Sequence, residues 1–331
     1  MRVAVGFNAD LPVAEIVEHA KFAESQGFEG VWMHEHSFGR DSVSNISAIA
    51  AKTDKLRLGF GCLSPYVRTP VALAMTCATL QETSRGRVIL GIGTGFPARL
   101  DLLGIEHKLP IAELKETIEI CRKIWSGVPV NYAGKAFNLK NVKSLLGEVR
   151  IKIPIYLAGW KPQMLKLAAK YADGYLAKGG ESTNSIRQIV SSISSYVGTR
   201  SLNEIDLGAY LLSLVAGTKD EAVAKAKRDP FVAYMLSVQD DYLYEGTGIN
   251  PALKKPIAEN YFKGNLSGAF DFIRDEMIES FALVGTTDQV CERVREYKRA
   301  GLNLPILQPI SMQPEDVRAV IAAGSILIGS S

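Results

Sequence analysis

The sequence predicts an α/β chain folded as a (β/α)8 TIM barrel with insertions, and three observations carry the prediction. Short apolar runs of strand length alternate with segments of helical spacing from one end of the chain to the other. Eight such runs are found, whereas an open doubly wound sheet would show about six or seven. The 331 residues exceed the ~250 that eight units need, and the surplus falls at 128–150 and 230–280. The whole chain, 1–331, is expected to be one domain.

In order, residues 3–7 read as the first strand. Pro12 opens an amphipathic helix through Ser25, with Ile16, Val17, Ala20 and Ala23 facing inward, and Gly27 closes it. Gly30-Val31-Trp32-Met33 is the second strand, ending in His34-Glu35-His36, and 42–52 supply the next helix. The rest is organised around 55–96, in which strand-like 56–62 ends at Pro65 and Pro70, 71–83 has helical spacing, and 88–92 is a continuous apolar run. That pattern reads as two buried parallel strands joined by a crossover helix. Ligands of such units sit at the strands' carboxyl ends, here near Cys62 and Thr94. A long helix over 109–125 and a hairpin over 128–139, lying across the barrel end, follow. Strands at 153–158, 174–177 and 205–215 then alternate with helices at 164–171, 184–197 and 220–228. A helix over 288–300 leads to the last strand, 304–307.

Composition excludes several classes. Lys plus Arg number 38 against 35 Asp plus Glu, with no long run of either sign, so no nucleic acid and no membrane surface is expected as partner. Cys62, Cys77, Cys121 and Cys291 are far apart and form no Cys-x-x-Cys pair, which fits reduced thiols. No run approaches ~18 apolar residues, and the start goes straight into a strand. A cytoplasmic protein is expected.

Four short stretches could carry chemistry. Gly91-Ile92-Gly93-Thr94-Gly95 is either a loop that meets a ligand with its backbone or a tight strand-to-helix turn; the later glycine and acid of a dinucleotide fingerprint are missing. Gly59 and Gly61 are either small residues for close packing or part of a ligand bed. On a strand, His34 and His36 would share a face, an arrangement open to two metal ligands, but no third ligand is suitably spaced and no metal is expected; a satisfied core histidine is the plainer alternative. Ala158-Gly159-Trp160-Lys161-Pro162 and Lys178-Gly179-Gly180 follow adjacent strands. Amides at a helix start with a lysine make an anion site.

GFGCLSPYVRTP, TLQETSRGRVILGIGTG, IPIYLAGWKPQMLKLAAKYADGYL and FALVGTTDQVCERVREYKRAGLN, together with FAESQGFEGVW and EHSFGRD near the start, resemble the luciferase-like superfamily of flavin and deazaflavin enzymes. Within it they are most similar to archaeal methylenetetrahydromethanopterin reductases that use coenzyme F-420, in register over nearly the whole chain. The resemblance implies a non-proline cis peptide at Gly61-Cys62 behind the deazaflavin ring, with Ser64, Thr94 and Gly95 beside the coenzyme. Glu35 and His36 fall where the family has an Asp-His pair. His36 would stabilise charge on the reduced ring, with Glu35 holding the imidazole. Ala158, Gly159, Lys161, Lys178, Gly179 and Gly180 would meet the ribityl phosphodiester, and Trp160 would cap the pocket. A homodimer built on the early helices is implied as well.

Two departures stand out. The reductases carry an acid in the first strand, where this chain has Gly6, and another after the fourth-strand glycines, where it has Phe96. Proton delivery to a pterin nitrogen needs some acid, so Glu35 takes that part or the substrate differs. The expected activity is hydride transfer between coenzyme F-420 and a one-carbon pterin. The alternatives are an FMN-dependent luciferase-like monooxygenase, which a dry apolar pocket would suit, and a cofactor-binding protein without turnover.

Overall fold

The computed structural model describes every residue except 37, 160, 240, 242–248 and 330–331. Its elements are β1 (Ala4–Phe7), α1 (Val13–Ser25), β2 (Gly30–Met33), α2 (Ser42–Ala50), β3 (Arg57–Phe60), α3 (Pro70–Thr83), β4 (Val88–Ile92), α4 (Pro97–Leu102) and α5 (Pro110–Trp125). There follow β5 (Val130–Ala133), β6 (Asn138–Val142), β7 (Ile155–Ala158), α6 (Pro162–Tyr171), β8 (Gly174–Ala177), α7 (Thr183–Tyr196), β9 (Asp206–Val215) and α8 (Lys219–Lys227). The chain continues through α9 (Pro230–Val238), α10 (Lys254–Phe262), α11 (Leu266–Phe270), α12 (Asp275–Phe281), β10 (Leu283–Gly285), α13 (Thr287–Arg299), β11 (Leu304–Pro309) and α14 (Pro314–Gly329).

Eight strands close a parallel ring in the order β1-β2-β3-β4-β7-β8-β9-β11, with β11 returning to β1. The eight are the eight expected from sequence, and the closure rules out the open sheet. Strand β10 is additional: it pairs with β9 through Leu283 opposite Ser213, beyond the last β8 partner, Ala209. Sequence reading also passed over α4 and α14. The latter buries Val317, Val320, Ile321 and Leu327 at helical spacing and supplies the helix after the last strand.

The ring is filled. Trp32, Tyr156, Tyr210, Ile89, Leu176 and Ile306 form one interior cluster, and the larger core lies between the sheet and its helices. Gly59 resolves as a packing residue, because a Cβ there would stand within 2.5 Å of three Trp32 ring atoms. The hairpin β5–β6 does not lie across the barrel end. Its turn is fastened to the middle of α5, where Glu116 accepts from the amides of Lys135 (2.7 Å), Ala136 (3.1 Å) and Phe137 (3.0 Å). A buried carboxylate needs such donors, and the turn provides them. Helices α9 to α12 build their own apolar cluster against the far half of β9, which puts α9 over the carboxyl ends of the strands. Among the described residues, no helix is long and apolar enough to cross a membrane.

Candidate active site

The loops after β2, β3 and β4 meet at the carboxyl end of the barrel. Just past β3 the Gly61-Cys62 peptide is cis, without a proline, as the resemblance implied. Under it lies Tyr210 of β9, 3% exposed, with its ring centroid 4.0 Å from that of His34. A Cβ on Gly61 would overlap the Tyr210 hydroxyl, so residue 61 has to be glycine for this approach. That hydroxyl has no hydrogen-bond partner among the described residues. Burial, and next the Glu35 charge, push the Cys62 thiol up to about 12. It is therefore a neutral, weakly polar surface at pH 7.

His34, Glu35 and His36 serve three different purposes. His34 Nε2 is 3.1 Å from Gln308 Oε1, the Gly61 carbonyl is a further partner, and Gln308 in turn donates to Asn8 Oδ1 at 2.5 Å. Burial holds its pKa below the usual value, so it is a core histidine whose neutral ring, with a single N–H, donates to one of these two acceptors. Glu35 does not hold the His36 ring as expected. Its carboxylate accepts from Arg68 Nε at 2.6 Å and from the Ser64 amide at 3.2 Å. A cation and a backbone donor hold a carboxylate more strongly than a neutral ring does. Arg68 also pairs with Asp41, which caps α2 through the Ser44 amide at 2.7 Å. Glu35 thus ties the β2 loop to the β3 loop.

His36 looks the other way. Its Nδ1 accepts from the Phe38 amide at 3.3 Å, and its Nε2 lies 3.0 Å from Arg99 Nη2. Burial first, and the Arg99 charge second, lower its pKa, with Asp10 acting in the opposite sense. The Arg99 guanidinium is 5.4 Å from both the Phe96 and Tyr234 ring centroids and donates to the Tyr234 hydroxyl. The Tyr261 ring follows at 5.8 Å from Tyr234. Sequence reading missed Arg99, Tyr234 and Tyr261. Arg99 had a signal, since it comes three residues after Phe96 in a stretch opened by Pro97; the tyrosines arrive from an insertion whose docking no local pattern reveals.

The β3 and β4 loops are stitched together. Ser64, 6% exposed, donates from its hydroxyl to the Thr94 carbonyl at 3.1 Å, and Thr94 Oγ1 donates to the Gly95 carbonyl at 3.2 Å. Gly95 has φ +76°, a backbone state that favours glycine. At Gly93 a Cβ would stand 2.6 Å from Cys62 Sγ and 3.2 Å from the Ala158 carbonyl, so the ends of β3, β4 and β7 converge on backbone. The structure therefore brings Gly61, Cys62, Ser64, Thr94, Gly95 and Ala158 together, with His36 on the neighbouring β2 loop.

The remaining expected residues are more dispersed. The Gly159 carbonyl accepts from the Tyr175 hydroxyl, and Lys161 is exposed at the start of α6. Lys178 is half-buried, while Gly179 and Gly180 are buried under α9: Gln239 Nε2 donates to the Gly179 carbonyl at 2.8 Å. Trp160 lies outside the described residues. Among the described residues, no three or more His, Cys, Asp or Glu side chains gather as a metal would require; His34 and His36 turn to different partners.

The model of the luciferase-like monooxygenase family matches residues 2–304. The 5,10-methylenetetrahydromethanopterin reductase of Methanolobus tindarius is 30% identical over 335 residues, covering 99% of this chain and 100% of that one. The enzyme of the same name from Archaeoglobus fulgidus is 30% identical over 308 residues, 91% of each chain. The structure of the coenzyme F-420-dependent tetrahydromethanopterin reductase from Methanopyrus kandleri superposes with a TM-score of 0.89 at 27% identity, over 99% of both chains. With a barrel closed in the same way and a family match spanning nearly its whole length, this chain belongs to the luciferase-like monooxygenase family.

Proposed function

We propose that the protein is a coenzyme F-420-dependent oxidoreductase that transfers hydride to a one-carbon pterin, in the manner of the 5,10-methylenetetrahydromethanopterin reductases. The observation that carries this reading is the match to those reductases over 99% of this chain and 100% of one of theirs. The residues at the barrel mouth fit the coenzyme. Gly61, Cys62, Gly93 and Ala158 present backbone and one neutral thiol, and the squeeze at Gly93 leaves no room for a larger side chain beneath a flat ring. Lys161 and the first amides of α6 suit the phosphodiester, with Lys178 as a second cation.

When bound, the deazaflavin supplies a hydride donor at one carbon. The protein's part is to hold and enclose. His36, kept neutral by burial and by Arg99, offers a hydrogen bond without adding a charge. Glu35 is a positioning residue, fixing the loop that carries His36 against Ser64. We read the chain as one barrel domain with insertions at 128–150 and 230–280, working as a homodimer in the cytoplasm; sedimentation velocity tests the dimer.

The test of activity is to mix the protein anaerobically with reduced coenzyme F-420 and methylenetetrahydromethanopterin. Oxidation of the coenzyme at a rate proportional to protein is expected, and its absence rejects the activity. Product formed only with reduced FMN and oxygen would favour the monooxygenase reading instead.

A further inference from the structure

The groups around His36 contain more donors than acceptors. A neutral imidazole has one N–H and one lone pair. Yet its Nδ1 faces the Phe38 amide N–H and its Nε2 faces Arg99 Nη2. If Nδ1 accepts from Phe38, the ring proton is on Nε2, and two N–H groups point at each other across 3.0 Å with nothing to receive either. If Nε2 accepts from Arg99, the excess moves to the exposed Phe38 amide, where water can take it, and Arg99 is left with its charge unpaired. Arg99 does not dispose of its charge elsewhere. It makes no ion pair with a carboxylate among the described residues, and its remaining contacts are the faces of Phe96 and Tyr234 and the Tyr234 hydroxyl. Glu35 is held by Arg68. Asp10, which acts on His36 and Tyr261 through its charge, forms no ion pair with Arg99.

A half-buried guanidinium stacked between aromatic faces, fixed by a tyrosine and opposed to a ring N–H, is built to receive an oxyanion. We propose that Arg99, with His36 Nε2 and Tyr234, is the receptor for an anionic oxygen, carboxylate or phosphate, on the hydride-accepting substrate. The substrate class is thereby narrowed to acidic molecules that bring such a group to the mouth between β2 and β4. This rests on the oxidoreductase reading above. The anion could instead come from the coenzyme's own phosphodiester or carboxylates, so the test separates the two sources.

Inorganic phosphate and malonate are titrated calorimetrically into the full-length protein and into Arg99→Gln and Arg99→Lys. Wild type is expected to bind one anion, with at least a tenfold loss in Arg99→Gln and a smaller loss in Arg99→Lys. A nuclear magnetic resonance titration should show the His36 pKa rising on binding, as the Arg99 charge is neutralised. No binding by wild type, or equal binding by Arg99→Gln, overturns the proposal. Coenzyme F-420 is then titrated by fluorescence with and without saturating phosphate. Unchanged coenzyme affinity assigns the anion to the substrate; mutual exclusion assigns it to the coenzyme and overturns the substrate assignment. If the coenzyme fails to bind while phosphate still binds through Arg99, the coenzyme reading falls and the anion receptor stands.

Discussion

Gly59→Ala tests whether the glycine of β3 is there for packing. The added Cβ would lie within 2.5 Å of Trp32 Cδ2, Cε3 and Cε2, whereas carbon atoms settle about 3.5–4.0 Å apart. The ring or the strand therefore has to move by roughly 1 Å. Trp32 is fully buried and packs on Tyr156 at a centroid distance of 5.5 Å, so it has nowhere open to swing. Overpacking of this kind costs about 1–3 kcal/mol, and with no free direction the upper part of that range applies. The gain from a less flexible unfolded chain, about 0.4–1 kcal/mol, offsets only part. We expect a net loss of about 2 kcal/mol, read as a Tm drop of about 3 °C by differential scanning calorimetry. Trp32→Leu alone should destabilise by about 3 kcal/mol through its cavity. In the double variant the methyl group enters that cavity, so the two losses should fall short of additive by more than about 1 kcal/mol. A Gly59→Ala protein within 0.5 kcal/mol of wild type, taken here as roughly the ordinary surface range, or strictly additive losses, would refute the packing account.

Arg87, 8% exposed, donates to the carbonyls of Ser84, Ala50, Thr53 and Leu56 and to the Thr53 hydroxyl, all between 2.8 and 3.0 Å. Lysine cannot reproduce that fork, so Arg87→Lys should lower stability by about 2–4 kcal/mol in a urea titration; an unchanged midpoint would contradict it. His19, His34 and His36 are all held below the usual 6.5, chiefly by burial. Below that pH the unfolded chain takes up protons that the folded one resists, so stability is full above 6.5 and falls as pH drops, by up to roughly 1.4 kcal/mol per pH unit for each group. Urea midpoints at pH 7.5 and 5.5 check the sign, and His34→Gln should reduce the difference. With burial raising all four thiols, Cys62 and Cys121 to about 12, iodoacetamide at pH 8 should label the native protein far more slowly than the denatured one by mass spectrometry. Rapid labelling of Cys62 would show its thiolate to be accessible.

The barrel was legible because each unit writes its own period. Four-residue runs such as Val31-Trp32-Met33 after Gly30 and helices begun by a proline are local signals, and local physics is what spacing records. Strand β10 escaped because Leu283-Val284-Gly285 is three residues long and pairs only with the far end of β9. The residues of the site were legible where they sit at strand ends. Their roles were not, because whether Glu35 turns to His36 or to Arg68 depends on a residue 33 positions away. Tyr234 is 135 positions from Arg99, and only the folded insertion brings them together.

The two missing acids have structural counterparts that account for their absence. A Cβ on Gly6 would stand 3.0 and 3.1 Å from the Tyr210 ring and 3.3 Å from Ile306. Tyr210 thus crowds the room that a first-strand carboxylate would need, and a side chain at position 6 would require the tyrosine ring to give way. At Phe96 an aromatic ring stacks on Arg99, so a cation lies beside a position where the resemblance implied an acid. Burial holds Tyr210 and Tyr234 well above or above their ordinary range, which leaves both phenols protonated at neutral pH. His36 is neutral, and the Glu35 carboxylate is engaged by Arg68. A mouth so arranged attracts negative charge and has few groups ready to give up a proton, which makes it better suited to seating an acidic hydride acceptor than to protonating a nitrogen through a carboxylic acid.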